Sequence, residues 1–95
     1  MRRIAYLADA EGDLDGIYDH SVREWGARQA DRYVVMIRTR MTGLATGHSA
    51  SRRADEVAPG LRRALVGSHV VFFREDAAAV TVVRVLQQRM DVGRE

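Results

Sequence analysis

Cysteine and lysine are both absent from this 95-residue chain, and proline and tryptophan occur once each. Without cysteine there is no disulfide framework, no thiolate metal site and no cysteine nucleophile, a composition that suits a reducing compartment. Without lysine there is no Schiff-base chemistry and no P-loop lysine. Long apolar runs are missing too, since no segment approaches the ~18 residues of a membrane span. The opening Met1-Arg2-Arg3-Ile4-Ala5-Tyr6-Leu7-Ala8 begins like a signal peptide. Asp9 and Glu11 interrupt it after about five apolar residues, short of the roughly 7–15 that a leader needs. The expectation is a cytoplasmic protein with no membrane association.

What is present is charge of an unusual kind. All fifteen basic residues are arginine, set against thirteen acids for a formal net charge of +2. Biased codon usage gives such a composition, and so does a demand for planar, fork-shaped donors to carboxylate and phosphate. The signs are segregated. Residues 9–31 hold seven acids against Arg23 and Arg28, whereas residues 32–63 hold seven arginines against Asp55 and Glu56. An acidic flank and a basic flank follow if the chain folds compactly. An apolar fraction of 46% is ordinary for a globular chain, and the length predicts a single domain spanning residues 1–95.

Ile4–Leu7 reads as a first strand, with Asp9 or Asp13 as cap of the helix that follows. Leu14, Ile17, Tyr18, Val22 and Trp25 recur at three- and four-residue steps, and Gly26 ends that stripe. Ala27, Ala30, Tyr33, Val34, Ile37, Met41 and Leu44 form a second stripe, so the two make a helical hairpin. Residues 45–60 lose the period and read as a loop. Leu61–Val66, His69–Arg74 and Ala78–Leu86 are strand candidates, joined by Gly67-Ser68 and Glu75-Asp76. The predicted class is α+β: an N-terminal strand, a two-helix hairpin, then a three-stranded antiparallel meander. These form one small sheet with the helices on one face. Aligned registers would place Arg62, Arg74 and Arg84 together on the opposite face. Phe72 and Phe73 point to opposite faces, which would leave one of them exposed.

Chemical motifs are few. Glu11-Gly12-Asp13-Leu14-Asp15-Gly16 starts like a calcium loop but has Val22 where the closing glutamate belongs. His20, His48 and His69 have no metal-ligand spacing, and no cofactor is expected. His20 falls on the polar side of the first helix, and His69 opens a strand. Serines 21, 49, 51 and 68 lack a nucleophile elbow.

The order Asp13-Leu14-Asp15-Gly16-Ile17-Tyr18, Trp25-Gly26-Ala27-Arg28-Gln29-Ala30, Tyr33, Leu44-Ala45, Glu56 and Gly60-Leu61-Arg62 continues in Gly67-Ser68-His69-Val70-Val71-Phe72-Phe73-Arg74. It closes with Arg84-Val85-Leu86 and Arg89-Met90-Asp91. Over nearly the whole chain this resembles the ParE branch of the RelE/ParE toxin superfamily, the plasmid stabilisation toxins. The resemblance implies a compact α+β toxin of a type II toxin–antitoxin module, neutralised by a ParD-like ribbon-helix-helix antitoxin. It further implies inhibition of DNA gyrase by binding, without catalysis, and no sequence-specific nucleic-acid binding by the toxin alone. The expected target-binding residues are Arg62, Arg74, Arg84, Arg89, Met90 and Asp91. The expected antitoxin contacts are Leu14, Tyr18, Trp25, Tyr33, Ile37 and Phe72.

RelE-like relatives cut mRNA on the ribosome with basic residues and often a C-terminal tyrosine. Residues 61–95 hold neither tyrosine nor lysine, so His69 or Glu75 would have to act as base. An mRNA endoribonuclease is the alternative reading, and a non-toxic antitoxin-binding homologue is a third. Gln87 stands where the family commonly has histidine, and Gly47-His48-Ser49 where it has proline.

Overall fold

The computed structural model describes residues 2–47 and 51–88, so His48, Arg89, Met90 and Asp91 lie outside the described residues. The elements run β1 (Arg3–Tyr6), α1 (Ala8–Trp25), α2 (Ala27–Ala45), β2 (Arg52–Arg53), β3 (Arg62–Val66), β4 (His69–Glu75) and β5 (Ala79–Gln87). Helix α1 starts at Ala8 after Leu7, with no side-chain cap, so the expected caps Asp9 and Asp13 lie within it. The cause is strand pairing. The Leu7 amide donates to Val82 O at 2.9 Å while Leu7 O accepts the Glu11 amide, so strand passes into helix without a gap. Gly26, at φ 90°, serves both helices: its N–H donates to Val22 O and its carbonyl accepts the Ala30 amide. A side chain there would be strained by the backbone alone.

The sheet is five-stranded and mixed, in the order β1-β5-β4-β3-β2. β1 lies parallel to β5, while β5–β4, β4–β3 and β3–β2 are antiparallel. This replaces the expected three-stranded antiparallel meander. The helical hairpin carries the chain across one face, so β1 and β5 point the same way. Residues 52–53, read as loop, add a short strand at the far edge.

Between Phe72 and Phe73 the β4–β5 register slips: Phe72 faces Arg84 but Phe73 faces Val82. Val83 is thus the extra residue of a β-bulge. The bulge explains why β5 is apolar on both parities. Val80, Val82 and Val85 join Leu14, Ile37, Met41, Leu44 and Phe73 in the core beneath the helices. Val83 instead joins a second cluster on the other face with Ala54, Leu61, Val70 and Phe72.

Residues 54–61 fold over that second cluster. The Ala54 amide donates to Leu61 O at 2.8 Å, and Asp55 Oδ1 accepts the Gly60 amide at 2.9 Å. Phe72 and Phe73 do take opposite faces, but both are buried, against the expectation that one is exposed. Trp25, the last residue of α1 and of its apolar stripe, is 63% exposed.

Candidate functional site

Pairing of β1 with β5 ends at Tyr6–Val82, so from Val83 to Gln87 no strand among the described residues lies beside the outer edge of β5. Helix α1 and the start of α2 face this edge across a cleft of about 650 Å³. Ile17, His20 and Trp25 line it from α1, Gln29 and Tyr33 from α2, and His69 and Arg84–Gln87 from the sheet.

Two clamps hold the cleft in shape. In the first, Asp13 receives the Arg84 fork: Nε donates to Oδ2 at 2.7 Å and Nη2 to Oδ1 at 2.8 Å. The same carboxylate accepts the Val85 amide at 2.8 Å, so it satisfies one donor of the open edge. Partial burial acts to raise the Asp13 pKa. The bonds from Arg84 and Val85 and the Arg84 charge outweigh it and hold the group below the usual carboxylate value.

In the second clamp the Tyr33 hydroxyl lies 2.6 Å from His69 Nδ1 and accepts the Ser68 amide at 3.0 Å. The hydroxyl sits against the β3–β4 turn so closely that a Cβ on Gly67 (φ 58°) would lie 2.7 Å from it. Burial, and to a lesser degree nearby His20, pushes the His69 imidazole below its ordinary pKa. His20 is exposed, as expected for the polar side of α1, and meets Trp25 edge-on at 6.4 Å between ring centres.

The three sheet arginines do not share a face, contrary to expectation. Arg62 turns to the helix side, where its Nε donates to Ser51 Oγ at 3.0 Å and lies 3.6 Å from Glu75 Oε2. Arg74 reaches across the other face and donates to Pro59 O at 2.5 Å. Arg84 wraps around the open edge of β5 to α1. The registers separate them, because Arg62 lies opposite Phe73 on one side of the sheet and the bulge redirects Arg84.

Of the expected antitoxin contacts, Leu14 and Ile37 are consumed by the helix-side core and Phe72 by the second cluster. None of these three presents a free surface. Tyr33 is partly buried and occupied by His69, and Tyr18, on α1, is partly buried, with nearby Asp31 pushing its hydroxyl above the ordinary pKa. Trp25 alone of the six is broadly exposed. Sequence reasoning missed Asp13 as the partner of Arg84, and Tyr33 as the partner of His69. No local pattern announces either, since each pair joins distant parts of the chain.

Among the described residues, no three His, Asp or Glu side chains converge as a metal site, and no helix is long and apolar enough to cross a membrane. The family model for the ParE toxin of type II toxin–antitoxin systems, parDE, matches residues 4–92. Toxin ParE1 of Mycobacterium tuberculosis is 37% identical over 86 residues, covering 90% of this chain and 88% of that protein. Toxin ParE of Escherichia coli is 38% identical over 91 residues, covering 93% and 88%. Among solved structures, a chromosomal ParDE toxin–antitoxin system from P. aeruginosa superposes with a TM-score of 0.78 at 25% identity, covering 92% of this chain and 96% of that one. The E. coli DinJ–YafQ toxin–antitoxin complex gives 0.64 at 13% identity, with 93% of each chain covered, a likeness of fold alone. The chain therefore belongs to the ParE toxin family of type II toxin–antitoxin systems.

Proposed function

We propose that this toxin acts by binding DNA gyrase, not by cleaving RNA, and that a ParD-like ribbon-helix-helix antitoxin neutralises it. The observation that carries the reading is the state of the two candidate bases. His69 Nδ1 is held by Tyr33, and burial disfavours its proton-bearing form. Glu75 is paired with Arg2 at 2.9 Å and approached by Arg62. A ribonuclease needs a base and several cations converging on one phosphate. Arg62, Arg74 and Arg84 instead occupy three separate parts of the sheet.

Membership of the ParE family supports the gyrase target, and the ParDE system of P. aeruginosa supports an antitoxin of the ParD kind. The cleft between α1 and the open edge of β5 is the proposed antitoxin seat. It offers exposed Trp25 as an anchor and, past Val82, an edge of β5 beside which no strand lies among the described residues, so that a partner strand could add there. The target-binding surface is assigned to the end of β5 from Arg84, continuing into Arg89, Met90 and Asp91. Supercoiling by purified gyrase tests the reading. The toxin should abolish it, stoichiometric antitoxin should restore it, and toeprinting on translating ribosomes should show no new mRNA ends. Untouched supercoiling would contradict it.

A further inference from the structure

The edge of the sheet farthest from the cleft carries arginines in a pattern that the toxin–antitoxin reading leaves unused. Strand β2 consists of Arg52 and Arg53, and its register sets Arg52 opposite Arg63 and Arg53 opposite Arg62. Like charges placed directly opposite each other destabilise a sheet. Two exposed arginines on β2 would suffice to keep this edge from pairing with other strands. Edge protection does not require the second pair facing them, of which Arg63 is paired with Glu56 and Arg62 lies 3.6 Å from Glu75 Oε2.

The four side chains straddle the edge. Arg63 lies opposite Phe72 and over its ring, on the face covered by residues 54–61, and the register puts Arg52 with it. Arg62 and Arg53 take the helix side. Arg74 adds a fifth charge to the covered face, donating to the Pro59 carbonyl. Residues 52–75 thus hold five arginines against Asp55, Glu56 and the Glu75 that approaches Arg62, a balance of +2. Helix α1, with six carboxylates against Arg23, packs at the β5 and β1 end of the sheet. The molecule is electrically polar across its width.

We infer that this arginine edge binds the phosphate backbone of duplex DNA without reading sequence. The inference rests on the gyrase reading for the DNA the toxin would meet, but its chemistry is independent of it. Arginine forks match phosphate oxygens, and a backbone contact needs cations alone. Arg52 makes no ion pair among the described residues. Arg53 keeps 78% of its side chain in solvent although it touches Asp55, and that carboxylate is anchored by the Gly60 amide. A phosphate can therefore replace such exposed pairs at little cost.

The surroundings argue against other partners. A single strand is gripped by aromatic side chains that stack on its bases, whereas the exposed aromatic Trp25 sits at the end of α1, on the cleft. A protein interface is built around a buried aromatic or apolar anchor, and β2 presents only arginine.

Fluorescence anisotropy of a labelled duplex of about 30 base pairs, with purified toxin and no gyrase, tests the inference. Neutralising about four phosphates predicts roughly a 100-fold loss of affinity between about 50 and 200 mM salt. Arg52→Ala with Arg53→Ala should weaken binding at the lower salt by about 10-fold or more and make the log–log salt slope shallower by about two. Lysine at both positions should restore most of each, and three unrelated duplexes should bind alike. The inference is overturned by no binding at low salt, by an unchanged alanine double variant, by tighter binding to single strands, or by equal competition from polyglutamate. DNA binding without any effect on gyrase would remove the gyrase reading and leave this one standing. Gyrase inhibition without DNA binding would do the reverse.

Discussion

Asp13 on α1 and Arg84 on β5 form a two-pronged ion pair, 2.7 and 2.8 Å long, that ties the first helix to the open edge of the last strand. The Asp13 side chain is 15% exposed and that of Arg84 44%, so the pair is neither solvent-screened throughout nor fully desolvated. Double-mutant analysis with Asp13→Ala and Arg84→Ala, by urea unfolding, should return a coupling of about 1–2 kcal/mol, above the usual surface pair and below a buried one. A coupling near zero would show that the pair does not join the two elements.

The same carboxylate sets an acid limit. Its folded pKa lies below the unfolded value of about 3.9, so its stabilisation is present above that pH. It is lost as pH falls through the folded value. Asp13→Asn should flatten the unfolding midpoint below about pH 4. It should leave the trend near neutrality unchanged.

His69 governs a separate window. Burial lowers its folded pKa below the unfolded value of about 6.5, so its unfolded form takes up a proton first. Stability is complete above that value and declines as pH drops through the folded pKa. Chemical denaturation at pH 7.5, 6 and 5 should show this decline in the parent chain and lose it in His69→Gln, whereas exposed His20→Gln should preserve most of it.

Gly67 is demanded by both backbone and neighbour. Gly67→Ala should cost about 2–3 kcal/mol, combining left-handed backbone strain with the Tyr33 hydroxyl 2.7 Å from the new Cβ. In a Tyr33→Phe background the ring is released from His69 and Ser68 and can pivot. The cost should then fall toward the roughly 1 kcal/mol of backbone strain alone. An equal cost in both backgrounds would rule out the Tyr33 contact as a contributor.

Trp25 separates partner binding from folding. Trp25→Ala should change stability by less than about 0.5 kcal/mol, because the ring is exposed. Antitoxin affinity should fall by about 2 kcal/mol, roughly 30-fold by calorimetry. Leu14→Ala, in the core, should instead cost about 2–4 kcal/mol of stability.

The sequence is legible here where physics is local and obscure where it is not. Leu14, Ile37 and Met41 repeat with the helical period, so their common burial follows from spacing. Gly26 marks the corner between the helices because only its backbone freedom allows the turn. The parallel seat of Arg3–Tyr6 beside β5 depends on strands from opposite ends of the chain, which no window of sequence encodes. Val83 hides the bulge, since a run apolar on both parities reads equally well with or without it. Phe72 reads as a free contact residue until residues 54–61 are seen to cover it. The arginines carried the family resemblance but not their positions. One residue of register decides which face each occupies.

The proposed binding of gyrase is tested by a supercoiling and DNA-cleavage assay with purified gyrase and purified toxin. Supercoiling should be lost with accumulation of cleaved DNA, and one equivalent of antitoxin should reverse both. Full supercoiling activity at saturating toxin, together with in-frame mRNA cuts on translating ribosomes, would contradict the proposal.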